Sequence, residues 1–129
     1  MSDENVISLE LVNMAMSSCE FKEIDTATID TPQVKWSKNF KKIDKDNFSV
    51  CFGITIHGKS FDTKVEEKAT FFLADWESDE ERTFVAKHNP YVIIYPYLRN
   101  AVYQITGLAS SGPFLLKIIN VLNLIDQID

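Results

Sequence analysis

The sequence predicts an α+β domain: a four-stranded antiparallel sheet followed by a long helix and a C-terminal helix. Three observations point there. From Val6 to about Phe72, apolar and polar residues alternate mostly with a period of two, and β-branched and aromatic residues are enriched. After "ADWESDEE" the period lengthens to that of a helix. No internal repeat, low-complexity run or linker divides the 129 residues, so a single domain over 1–129 is expected.

The first strand, around Ile7 to Ile24, is irregular. Leu9 and Leu11 share one parity and Met14 and Met16 the other, which predicts a bulge. The polar loop "DTATIDTPQ", containing Pro32, leads to a second strand over "VKWSKNFKKI", and "DKDN" turns the chain again. The clearest strand follows, "NFSVCFGITIH", with Phe48, Val50, Phe52, Ile54 and Ile56 on one side and Ser49, Cys51, Thr55 and His57 on the other. "HGKS" turns around Gly58 into "SFDTKVEEKATFFL". There Phe61, Val65, Ala69, Phe71 and Leu73 face one way, and Asp62, Lys64, Glu66 and Lys68 the other. Such alternation suits an antiparallel sheet with one wet face.

"SDEERTFVAKH" has a serine cap followed by acids and opens a short helix expected to end before Pro90. A longer helix is expected from about Pro96 to Ala109, with Pro96 in its first turn and Gly112-Pro113 closing the segment. In the tail, "FLLKIINVLNLIDQID", Lys117, Asn120, Asn123 and Gln127 form a narrow polar stripe at helical spacing.

Composition excludes several function classes. Hydrophobic residues at 45% and charged residues at 25% mark a globular chain. Thirteen basic against nineteen acidic residues give a net charge of −6, which argues against nucleic acid and anionic membrane as main partners. "MSDENVISLELV" begins with acids and lacks a basic region before an apolar core, so no secretory signal is expected. Cys19 and Cys51 have no motif spacing and read as reduced thiols of a cytoplasmic protein. The apolar run from Tyr91 to Leu98 is far short of the roughly twenty residues a bilayer span needs.

Groups suited to catalysis are sparse. Cys51 and His57 stand six residues apart on one strand, about 20 Å, too far for a nucleophile and its base. His88 falls at a helix end. The acids Glu77, Asp79, Glu80 and Glu81 match no calcium loop and suit a helix N-terminus. The four glycines form no phosphate loop. Neither an enzyme nor a bound metal or cofactor is expected.

Residues 89 to 112 hold a single charged side chain, Arg99. Tyr91, Val92, Ile93, Ile94, Tyr97, Leu98, Val102, Tyr103, Ile105 and Leu108 wrap most of a helix circumference. A helix apolar all round must be buried all round. One small sheet covers one side, so the second side is expected at a subunit interface, with Tyr97, Leu98, Ala101, Val102 and Ile105 as its candidates.

The same segment, "NPYVIIYPYLRNAVYQITGLASSGPF", resembles the SecB family of export chaperones. Its signature runs through Pro, apolar residues, an aromatic, Pro-Tyr-x-Arg, an apolar helix and a Gly-rich turn with Phe. Pro90, Tyr95, Pro96, Tyr97, Arg99, Gly112 and Phe114 stand at matching places. "LLKIINVLNLI" is similar to the family's apolar run containing Val-Asn-Phe, with Asn120 at its Asn. "DNFSVCFGITIHG" and "FDTKVEEKATFFL" follow its third and fourth strands, and "SSCEFKEI" resembles the end of its first, so the likeness covers about residues 8 to 126.

The resemblance implies a homotetramer, a dimer of dimers with helices sandwiched between sheets. Such assemblies hold unfolded polypeptides in long apolar grooves without ATP. By the same likeness the groove involves the loop after the first strand and the C-terminal helix. Its candidates are Phe21, Ile24, Val34, Trp36, Phe114, Leu116, Ile119, Leu122 and Ile125. Burying roughly 300 Å² of client at about 25 cal/mol per Å² yields about 7 kcal/mol gross. Association entropy removes most of that, so useful affinity needs several linked segments and grooves.

Export members dock on the motor SecA through an acidic patch on the outer sheet face. The corresponding positions here are Ser18, Lys22, Asp62 and Lys64, with Asp62 at an apolar position of the family and neutral or positive groups at its acidic ones. That departure counts against motor docking. Family members without export duty include guardians of toxin–antitoxin pairs. An oligomeric adaptor for one folded partner shares the same expected architecture.

Overall fold

A computed structural model of the chain describes residues 8–24, 31–74, 78–117 and 119–128. Four strands come first: β1 (Ser8–Glu23), β2 (Gln33–Lys42), β3 (Asn47–His57) and β4 (Phe61–Ala74). Two helices follow, α1 (Asp79–Thr106) and α2 (Val121–Asp126). The expectations for Val6, Ile7, the loop residues 25–30 and Glu77 lie outside the described residues.

The strands form one antiparallel sheet in the order β1-β4-β3-β2. Its apolar face follows the alternation read from the sequence. Register sets Phe48 opposite Phe71, Val50 opposite Ala69 and Ile54 opposite Val65, and none of these six is more than 1% exposed. Helix α1 lies across β3 and β4 and buries Val85, Ala86, Tyr91, Ile94, Leu98 and Val102 there. The Tyr91 ring meets Phe52 edge-on at 5.2 Å, and burial pushes its hydroxyl up to about 12.

β1 carries two register shifts, between Leu11 and Asn13 and between Met16 and Ser18. The first turns Met14 and Met16 onto the face of Leu9 and Leu11, which accounts for the change of parity in the sequence. Between β2 and β3, the Asp44 carboxylate accepts hydrogen bonds from the backbone N–H of Asp46 (2.9 Å) and Asn47 (2.8 Å). With the Asn47 side chain and these amides donating, its carboxyl is held below the usual range.

The helices depart from expectation in two ways. Pro90 and Pro96 lie inside one continuous helix of 28 residues, where a break before Pro90 was expected. An internal proline removes a backbone hydrogen bond at a cost of about 3 kcal/mol. Val85 and Ala86 before Pro90 are buried, as are Tyr91, Ile94 and Tyr95 after it, and each large buried side chain contributes about 1.5–3 kcal/mol. Packing therefore carries the helix through both prolines. Ser78 caps it as expected, its side chain accepting from the Glu81 N–H at 3.1 Å.

The C-terminal helix is much shorter than the polar stripe suggested. Residues 113–117 form no helix, and α2 spans six residues behind the Asn120 cap. The chain's own side chains claim the backbone groups a helix would use. The Phe114 N–H donates to the Thr106 hydroxyl (2.7 Å), the Arg99 Nε to the Leu116 carbonyl (2.7 Å) and the Tyr95 hydroxyl to the Lys117 carbonyl (2.6 Å). Among the described residues, no helix is long and apolar enough to cross a membrane.

Candidate functional site: an apolar groove along β2

β2 is an edge strand: among the described residues it pairs with β3 on one side and with no strand on the other. Its period-two pattern turns Val34, Trp36, Lys38 and Phe40 toward the apolar face, opposite Ile56, Ile54, Phe52 and Val50. The opposing wall comes from the segment after α1. Tyr95, Arg99 and Thr106 recur along one face of α1 and hold Lys117, Leu116 and Phe114 in reverse order, so this segment runs back along the helix. Held extended, it alternates: Leu116 is buried, while Leu115 and Lys117 face outward. Burial pushes the Tyr95 hydroxyl up, and the Arg99 guanidinium beside it pulls the other way.

Between these walls lies a cavity of about 350 Å³ lined by Val34, Trp36, Tyr95, Phe114, Leu115, Leu116, Lys117, Ile119 and Leu124. A second, of about 450 Å³, shares Val34, Trp36 and Leu124 and extends to Lys38, Gln127 and Ile128. A third, of about 280 Å³, continues past Lys38 to Phe40, Lys87 and Tyr91. Together they form one track along β2. Trp36 stands at its centre, with ring centroids 5.5 Å from Phe52 and 6.0 Å from Tyr95. Val34 (39%), Leu115 (57%) and Ile119 (36%) are open to solvent, whereas the rings beneath them are packed. The far end of α2 is pinned to β2 by Lys38, whose Nζ donates to the Ile125 carbonyl at 2.6 Å. It is pinned to α1 where His88 Nε2 lies 3.2 Å from the Asp126 carboxylate.

Of the nine residues expected in a groove, the structure brings five together: Val34, Trp36, Phe114, Leu116 and Ile119. Phe21 and Ile24 belong to the opposite edge of the sheet. Phe21 reaches the groove only through a row of rings, stacked at 6.1 Å on Phe61, which meets Phe114 at 6.4 Å. Leu122 is exposed but lines none of these cavities, and Ile125 is a core residue at 1% exposure. Sequence reasoning missed Tyr95, Leu115, Leu124 and the lysines. Tyr95 was visible as the aromatic just before Pro-Tyr-x-Arg, but its hydrogen bond to residue 117 was not.

The expected interface residues divide. Leu98, Ala101 and Val102 are buried within the chain, Ile105 is half-buried and Tyr97 is exposed. On the outer sheet face, Lys22, Asp62 and Lys64 do come together, with Glu20 and Thr55, around a cavity of about 340 Å³. Ser18 lies further along β1, opposite Glu66. The charges there are matched across the strands, Lys22 opposite Asp62 and Glu20 opposite Lys64, and His57 Nδ1 lies 2.8 Å from Asp62. Cys19 pairs in register with Val65 of the apolar face and Cys51 with Lys68 of the outer face, so the two thiols point to opposite sides of the sheet.

No family model and no curated protein matches the sequence. Solved structures do match. The chain is similar to the SecB-like chaperone Rv1957 of Mycobacterium tuberculosis, solved in complex with a ChAD peptide from the HigA1 antitoxin. The TM-score is 0.67 and the identity 20%, over 87% of this chain and 91% of that one. It is also similar to a protein of unknown function from Streptococcus agalactiae, with a TM-score of 0.58 and 11% identity over 88% of this chain and 99% of the other. From the edge strand β2 to the long helix threaded through two prolines, the chain carries a SecB-like fold.

Proposed function

We propose that this chain is a holdase chaperone that binds non-native polypeptide, without nucleotide, in the groove along β2. One observation carries this reading: the fold leaves an aromatic and aliphatic track open beside a strand edge that is unpaired among the described residues, while the β3 and β4 part of the same sheet face is buried. An extended client segment gains main-chain hydrogen bonds from the edge and apolar burial from the track, which makes sequence preference loose. Each groove binds weakly, so the working form is a homo-oligomer, with a dimer of dimers as the proposed state. The cross-strand charge matching on the outer face favours a chaperone that works apart from the translocase motor. The separated thiols suit the reducing cytoplasm.

The test is suppression of aggregation for several unrelated denatured proteins at stoichiometric chaperone, with no nucleotide added. Leu115→Glu should weaken that protection about tenfold, the equivalent of losing roughly 1.4 kcal/mol of apolar contact, at unchanged oligomer size. Protection that survives this change would remove the groove from the mechanism. A second reading is favoured by the antitoxin peptide bound to Rv1957: a guardian dedicated to one such partner. Protection confined to a single protein would select it.

A further inference from the structure

The groove is basic, in a chain whose net charge is −6. β2 carries Lys35, Lys38, Lys41 and Lys42 and no acid. In register these lysines face Thr55, Phe52, Ser49 and Phe48, so none has a carboxylate opposite, and none forms an ion pair among the described residues. The far side of the same sheet behaves differently, with Lys22 against Asp62 and Lys64 against Glu20. Across the groove Lys117 and Lys87 add to the positive charge, and among the described residues no Asp or Glu lines any of the three cavities. The nearby carboxylate on α2, Asp126, is turned to His88.

From this juxtaposition we infer that the groove selects extended polypeptide segments in which apolar or aromatic residues alternate with Asp or Glu. A strand added to the free edge of β2 presents alternate side chains to the two sheet faces. Apolar residues on one face meet Val34, Trp36 and Phe40, with Lys38 set among them. On the other face, acids meet Lys35 and Lys41. Edge lysines also discourage one β2 from pairing with another. That protective role and acid selection are compatible, because like charges repel a second copy while opposite charges admit an acidic strand.

The inference rests on the groove being a polypeptide site, and the experiment separates the two. Fluorescence anisotropy of the full chain is measured with two labelled extended peptides of equal apolar content, one with Asp and Glu spacers, the other with Lys and Arg. A few partly exposed contacts, each worth a few-fold, predict about tenfold tighter binding of the acidic peptide at low salt, with the gap closing at high salt. The K35E/K41E variant changes two exposed side chains and should abolish or reverse the preference while circular dichroism stays unchanged. Equal affinities, or preference for the basic peptide, would overturn acid selection and leave the groove intact. Binding of neither peptide would overturn the groove itself. Displacement of the acidic peptide by a single-stranded oligothymidylate would assign the basic track to nucleic acid instead.

Discussion

Glu67 sits on the apolar face of β4, opposite Phe52 on one side and Met16 on the other, with 7% of its surface exposed. Its burial raises the carboxyl above the usual glutamate range. With the folded value above the unfolded one, the folded chain binds this proton more tightly. The protonated side chain therefore favours folding below the ordinary glutamate range, and that contribution is lost as pH rises through the raised folded value. Glu67→Gln should raise Tm at pH 7, with the difference from the wild type shrinking as pH falls into the glutamate range. A gap that stays constant with pH would assign the gain to packing rather than to ionisation. The position was not legible from alternation alone. Phe61, Val65, Ala69, Phe71 and Leu73 announce the apolar face, but a carboxylate of the same parity is recognised as buried only once register sets it between Phe52 and Met16.

Among elements, those whose pattern is satisfied locally were readable in the sequence, and those decided by distant partners were not. β3 and β4 alternate cleanly because one face is packed and the other wet, and the bulge in β1 announces itself as a change of parity. The join in α1 was hidden because proline chemistry argues for a break, and only burial on both sides of Pro90 overrides it. The segment after α1 was read as helix from its spacing. It is extended because Tyr95, Arg99 and Thr106 engage its backbone from up to 22 residues away in sequence. Those same bonds set the outer wall of the groove, so they offer a test at this scale. Tyr95→Phe removes one hydrogen bond worth about 1 kcal/mol, close to a fivefold change in local opening. Trypsin should then cut after Lys117 about five times faster, in the regime where cleavage follows the open population. Arg99→Ala, which releases the Leu116 carbonyl, should likewise speed cleavage after Lys117. Unchanged cleavage in both variants would mean that the segment is held by its apolar contacts alone.

The whole molecule leaves more apolar surface open than the groove requires. α1 lies over β3 and β4, so the face of β1 that carries Leu11 and Met16 stays exposed, as does Val12 at its bulge. On the outward side of α1, Val92, Pro96 and Tyr103 recur at i, i+4 and i+11, one helical stripe, with Tyr97 beside it, and all four are exposed. These residues are separate from the three cavities along β2. The proposed occupant of this second surface is another copy of the chain, which would also supply the linked grooves that weak client binding demands. Sedimentation equilibrium of dilute protein should therefore give an oligomer. The double variant V92E/Y103E should sediment as a monomer that keeps its fold, since both side chains already point away from the core. That monomer should still bind a single short peptide with unchanged affinity. Its affinity for a long unfolded chain should fall by about a hundredfold, the scale expected when linked sites are separated. Loss of both activities together would make the stripe part of the groove, and a wild-type chain that sediments as a monomer would leave tight client binding to one groove alone.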